Sequence, residues 1–315
     1  MSEALDARAE VLKLARLLRR DPAALGYLEQ VPSADIRALR EEVTDMLFTA
    51  HGHVLGRLAA ASRVLPVGLI AIIGERAFGP VLSARIAGML EPSRAIDVAA
   101  KLATSFLAEV AVDIDPRRAS GVIAGIPPQQ VAAVTRELAR REEHVTMGRF
   151  VGHMSDEAIR AALEVLDDRT LLQVGFVLEE KDRLDHIVSL LPERRLNGVT
   201  EAAAAANLWP EVLDLLVHLS EQRRAAVALS AAAISLDDAA LGSFAWAVIQ
   251  EEAWDPLFEI AERMPEHELS RLARALADHL SNLDPADRER LLARGQSAGI
   301  LERLDSLRVA LGSGP

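Results

Sequence analysis

Apolar residues recur three and four positions apart along nearly the whole chain, and stretches that alternate apolar with polar side chains are scarce. Ala119, Val122, Ile123 and Ile126 fall at i, i+3, i+4 and i+7, on one face of a helix. In the next stretch Val131, Val134 and Leu138 take the inward positions, while Arg136, Glu137, Arg140 and Arg141 face water. The pattern predicts an all-α protein with almost no strand. Short helices are expected from residue 89 onward. Longer ones are expected before it, at about 3–20, 33–50, 53–63 and 66–77.

A short phrase punctuates these helices. An apolar residue is followed within two positions by proline at Leu90-Glu91-Pro92, Ile114-Asp115-Pro116, Leu191-Pro192, Met264-Pro265 and Leu283-Asp284-Pro285. Asp115 suits an N-cap, because its carboxylate can accept from free backbone N–H groups. Pro116 suits the first helical position, where a missing N–H costs nothing. Pro127-Pro128 then stops that helix and starts another.

The phrase is periodic. A shift of 24 residues lays Pro92 on Pro116, Arg94 on Arg118, Val98 on Val122, Leu102 on Ile126 and Val110 on Val134. A second register, at 45 residues, lays Trp209 on Trp254 and Glu221 on Glu266. Such periods mark helical repeats, in which a pair of short helices cannot bury its apolar face alone and stacks on its neighbours. The expected architecture is a right-handed α-solenoid, a superhelix of short helices, over residues 89–311. Residues 1–88 are expected to form an N-terminal helical subdomain or cap, joined near Gly79-Pro80, and residues 312–315 a loose tail.

Leu90, Pro92, Ala95, Leu102, Val110, Ile114, Asp115, Pro116, Arg118, Ala119, Ile126, Pro127 and Pro128 carry a likeness to a known family. Over residues 85–200 the wording resembles the intracellular N-terminal domain of MgtE-type magnesium transporters, a superhelix of short helices broken at apolar–x–Pro steps. The resemblance implies the fold. It also implies a response to divalent cations through acidic residues, with weak magnesium binding. The family's nucleotide-sensing pair and membrane helices have no counterpart in these 315 residues, and the acidic positions do not map one by one.

Composition narrows the function classes. The net charge is −12, which argues against a nucleic-acid partner. Residues 1–90 hold 11 basic and 10 acidic side chains, so the negative charge lies in the remainder. The chain has no cysteine. Disulfides, thiolate zinc sites and cysteine nucleophiles are thereby excluded, and a cytoplasmic setting fits. The opening 20 residues read as an amphipathic helix rather than a basic-then-apolar leader. Residues 64–74, VLPVGLIAIIG, are the most apolar run. Glu75 and Arg76 follow it, so it falls short of the ~20 residues of a spanning helix and is expected to be a buried one. Contact with a membrane surface is the alternative.

Motifs for chemistry are weak. His51 and His53 stand two apart, which on a helix points them in different directions and makes no metal clip. Acidic pairs such as Asp167-Asp168 and Asp237-Asp238 stand where the Asp-Pro phrase stands elsewhere, and read as caps. No nucleophile elbow or phosphate loop is present in the sequence. No cofactor is expected. The remaining candidates are interface anchors: the arginine pairs Arg117-Arg118, Arg140-Arg141 and Arg194-Arg195, forming a ridge for an acidic partner, with Trp209 and Trp254. The reading is a non-enzymatic scaffold that binds another protein. A cation-responsive regulatory domain and a carrier of an apolar ligand are the alternatives.

Overall fold

The protein is described by a computed structural model covering residues 2–49, 52–233 and 236–280. His51, the phrase at Asp284-Pro285 and the expected tail lie outside the described residues. Among those residues the regular structure is helical, with nineteen α-helices and no strand. The chain is all-α, as its periodicity predicts.

Cα positions separate it into two compact units, residues 6–190 and residues 1–5 with 191–315. The helices up to residue 190 are α1 (Ser2–Leu18), α2 (Ser33–Thr49), α3 (Gly52–Ser62), α4 (Val67–Ile73), α5 (Gly79–Ala87), α6 (Pro92–Ala99), α7 (Thr104–Asp113), α8 (Ser120–Gly125), α9 (Pro128–Arg140), α10 (His144–Phe150), α11 (Asp156–Val165), α12 (Asp168–Phe176) and α13 (Leu184–Ser189). After residue 190 come α14 (Glu193–Ala206), α15 (Trp209–Val217), α16 (Glu221–Ala233), α17 (Asp238–Gln250), α18 (Trp254–Arg263) and α19 (Glu266–Leu280). The boundary expected at 88/89 falls inside the first unit.

Within the first unit, helices pack on the helix two places along. α3 meets α5, α4 meets α6, α5 meets α7, α6 meets α8, α7 meets α9, α9 meets α11 and α10 meets α12. The second unit repeats the rule, with α14 on α16, α15 on α17, α16 on α18 and α17 on α19. The 24-residue register acquires a physical meaning here. Val98 and Val122 sit on the packed neighbours α6 and α8, and Val110 and Val134 on α7 and α9. One period is one helix pair. The 45-residue register is different: Trp209 and Trp254 open α15 and α18, three helices apart.

The inward face read from the sequence is the core face. Ala119, Val122 and Ile123 are buried with Ala84, Ala95, Val110 and Ile114, and Ile126 packs against them. α8 lies close on α6: a Cβ at Gly125 would stand 2.4 Å from Ile96 Cδ1, and one at Gly121 3.1 Å from Pro92 Cγ. The prolines behave as helix openers at Pro92 and Pro128. Asp167 and Asp237 cap α12 and α17, each accepting at 2.7 Å from the N–H three residues on.

Two expectations are corrected. Asp115 does not cap the helix that carries Val122 and Ile123. Residues 116–118 form a turn, and α8 begins only at Ser120. The reason is local competition: the Asp115 carboxylate takes the backbone N–H and side chain of Arg117 at 3.2 Å and the guanidinium of Arg118 at 3.4 Å. The apolar run, in turn, is longer than expected and is not buried. α4, a π-helical turn at Gly74–Phe78 and α5 make one helical run, Val67–Ala87, of 21 residues, whose most apolar 18-residue window has mean hydropathy 1.5. By length and composition it could cross a membrane, and only 17% of its most apolar window is buried. Ala71, Gly74, Ala84 and Ile86 face the protein, whereas Leu69, Ile72 and Val81 are exposed.

Candidate functional site

The first helix is not a surface helix. Ala7, Ala9, Val11, Leu14 and Ala15 are buried, and so are Glu10 and Lys13. One side packs Ala7, Val11 and Leu14 against Ile36, Leu25, Leu28 and Val31. The other carries charge at positions 6, 10, 13 and 16, a spacing that forms a single stripe on a helix. Each member of that stripe meets a partner far along the chain. Asp6 accepts from Lys181 at 2.6 Å, and Arg16 donates to both oxygens of Glu143 at 2.8 and 2.9 Å. Thr146 steadies Glu143 through a 3.0 Å hydrogen bond.

The centre of the stripe is a buried ionic cluster. Lys13 donates to Glu10 at 2.8 Å and to the Leu178 carbonyl at 3.3 Å. Glu10 also receives Arg40 at 3.0 Å and Arg37 at 3.1 and 3.2 Å. Glu179 binds Arg40 and lies 3.7 Å from Lys13. Burial is the largest single influence on Glu10, Lys13, Arg40 and Glu179, and it opposes charge. It pushes the Lys13 ammonium down despite the two carboxylates beside it. For Glu10 and Glu179, Lys13 and Arg40 together overcome burial and hold both carboxyls below the usual range. Two acids and two bases thus neutralise one another in the interior, with Arg37 at the rim. The Lys13 side chain is 1% exposed. The arrangement fixes the register of α1 against α2 and the segment after α12; it offers no surface to a substrate.

The sequence-predicted arginines divide into different settings. Arg117 and Arg118 are half-exposed beside α2. Both bind Asp45, at 3.2 and 2.9 Å, and Arg117 also reaches Glu41 at 3.6 Å. The Arg118 guanidinium lies over the Phe48 ring, 4.0 Å from its centroid. Arg149 on α10 is largely buried: burial pushes its guanidinium down, and its charged neighbours include Arg40, Glu179, Asp115 and Arg117. Arg140 and Arg141 lie elsewhere and share Glu137, each at 2.7 Å. Arg140 first, then Arg141, holds the Glu137 carboxyl down to about 2. Arg195 is half-buried, and the Arg194 side chain lies outside the described residues. The expected ridge therefore resolves into a pair at Arg117 and Arg118 and a separate clamp at Arg140 and Arg141.

The two tryptophans are core residues, which corrects their reading as interface anchors. Trp209 is 3% exposed, donates to Ser243 Oγ at 2.9 Å and meets the Phe244 ring edge-on at 5.1 Å. Trp254 is also buried. Both stand at the first position of a helix, α15 and α18. Trp246 on α17 is the half-exposed indole, 5.5 Å from His279. Arg37, Arg149 and Phe48 were missed in the sequence because none belongs to a pair or a repeat phrase.

No protein-family model, curated protein or solved structure matches this chain.

Proposed function

We propose that this chain is a non-enzymatic α-solenoid scaffold that holds an acidic segment of another protein at Arg117 and Arg118. The solenoid reading is supported by the packing of most helices on one two places away, from α3 to α12 in the first unit and from α14 to α19 in the second. It is supported as well by the likeness of residues 85–200 to the MgtE intracellular domain. The observation that carries the partner reading is a pair of adjacent, half-exposed arginines whose guanidinium groups already hold the exposed carboxylate of Asp45. Arg117 and Arg118 are 41% and 36% exposed. Asp45, itself half-exposed, occupies them as the carboxylate of a partner would.

The test is cross-linked affinity capture from the native source, comparing the unaltered chain with Arg117→Glu/Arg118→Glu and with Arg140→Glu. The expected result is a stoichiometric partner that the double variant loses and Arg140→Glu keeps. A partner retained equally by all three chains would overturn the assignment.

A further inference from the structure

From the exposed face of α3 and α4 we infer a second binding surface, one that lies on an anionic lipid bilayer. The turn between these helices is held out from the protein. Arg94 donates to the Ser62 carbonyl at 2.7 and 3.1 Å and to the Leu65 carbonyl, so the backbone on both sides of Val64 is pinned from beneath. Val64 is 85% exposed at the tip. Leu69 and Ile72 follow on one face of α4, 43% and 52% exposed, with Arg76 one turn on. An isolated exposed leucine means little, but a pinned apolar tip continuous with an apolar helical stripe is a built feature.

Charge selects the occupant. Residues 52–90 contain four arginines, Arg57, Arg63, Arg76 and Arg85, against one acid, Glu75. That is a net +3 inside a chain of net −12. Arg57, Arg63 and Arg76 are exposed; Arg63 meets an exposed neighbour, Glu91, at the edge of an ion-pair distance, 4.0 Å. Apolar side chains flanked by basic ones fit the boundary between acyl chains and anionic headgroups. The segment lies on such a surface rather than through it. Glu75 accepts from the Ala103 N–H at 2.8 Å, and Ala71, Gly74, Ala84 and Ile86 are committed to the protein. Spanning would strip those contacts and immerse Glu75, Arg76 and Arg85.

Vesicle co-sedimentation of the full chain tests this. Vesicles of phosphatidylcholine alone are compared with vesicles carrying phosphatidylglycerol, at low and high salt. Unaltered protein is expected to sediment with the anionic vesicles, and less so as salt rises. Leu69→Gln/Ile72→Gln should weaken binding at least about tenfold, from the apolar surface it withdraws. Arg63→Gln/Arg76→Gln should weaken it several-fold, by roughly one basic contact each, and flatten the salt dependence. Met46→Gln, an exposed apolar position on α2, should bind like the unaltered chain. All variants alter exposed positions, and matching circular dichroism and melting curves verify their folding. Three results would overturn the inference: no sedimentation with either vesicle, binding indifferent to Leu69→Gln/Ile72→Gln, or a dimer in sedimentation velocity that this variant dissolves while vesicles bind nothing. The last would make the face a contact between copies of this chain.

Discussion

Neutralising Glu10 should cost the fold far more than removing Lys13, although the two form one salt bridge. Glu10 accepts from three cations, Lys13 at 2.8 Å, Arg40 at 3.0 Å and Arg37 at 3.1 Å. In Glu10→Gln, Lys13 and Arg40 would share Glu179 alone, with Lys13 1% and Arg40 6% exposed. Breaking a buried ionic group from one side costs about 3–5 kcal/mol. Lys13→Met removes a cation whose burial already disfavours its charge, fills the same space, and leaves Glu10 with two arginines; a loss near ~1 kcal/mol follows. Urea unfolding at neutral pH, followed by far-ultraviolet circular dichroism, measures both. Tryptophan fluorescence does not suffice, because Trp209, Trp246 and Trp254 all lie in the second unit. The pH dependence supplies a second check. A carboxyl held below its ordinary value of 4.5 stabilises the fold above that pH, and the contribution is lost as pH falls through the lowered folded value. The gap between Glu10→Gln and the unaltered chain should therefore close in acid below 4.5. Lys13 runs the other way: its lowered folded value makes the protonated amine a cost at neutral pH, relieved as pH rises toward 10.5. A Lys13→Met loss equal to that of Glu10→Gln would refute this account of the cluster.

Glycines separate tight packing from open space. Gly148→Ala would place a Cβ 2.7 Å from the Val177 carbonyl oxygen, and should cost about 1–3 kcal/mol in thermal or urea unfolding. Gly242→Ala meets nothing within 4 Å inside α17 and should instead gain up to about 1 kcal/mol. Val122→Asp buries an unpaired carboxylate between α6 and α8 and should cost about 3 kcal/mol or prevent folding, whereas Arg117→Ala, on the surface, should cost about 1 kcal/mol or less in the same measurement. Iodide should quench one indole in three: Trp246→Phe should abolish most of the quenching, and Trp209→Phe should leave it unchanged while costing about 1 kcal/mol for the lost bond to Ser243.

The helical periodicity and the caps at Asp167 and Asp237 were legible because each depends on residues three or four apart. The pairing of α6 with α8 was legible too, through the 24-residue register, because repetition is a long-range contact written locally. The interior of α1 was not. Charges at 6, 10, 13 and 16 read as a solvated face, and nothing nearby contradicts that reading. Their partners Lys181, Glu179 and Glu143 lie 175, 166 and 127 positions from Asp6, Lys13 and Arg16, and Glu10 is met by Arg40, 30 positions away. Asp115 failed for the opposite reason: its competing donors, Arg117 and Arg118, are adjacent, and a turn won over a cap.

The apolar run shows most directly what periodicity leaves open. A stripe of Leu69 and Ile72 at helical spacing is the same pattern whether the neighbour is another helix or the outside of the protein. The difference lies in position along the rows. α6 has α4 on one side and α8 on the other, and its inward residues Ala95, Val98 and Ala99 are buried. α4 stands at the start of its row and packs onward on α6, with Ala71 buried. A repeat that ends without a polar outer face leaves its last apolar stripe exposed, which ordinary repeat arrays avoid with a cap. Here the exposed stripe coincides with a local excess of arginine, and the arginine patch beside α2 shares that sign. Both surfaces should therefore weaken as salt rises. Salt alone cannot separate a protein partner from a bilayer; Leu69→Gln/Ile72→Gln can, because an acidic segment held at Arg117 and Arg118 has no use for those two side chains.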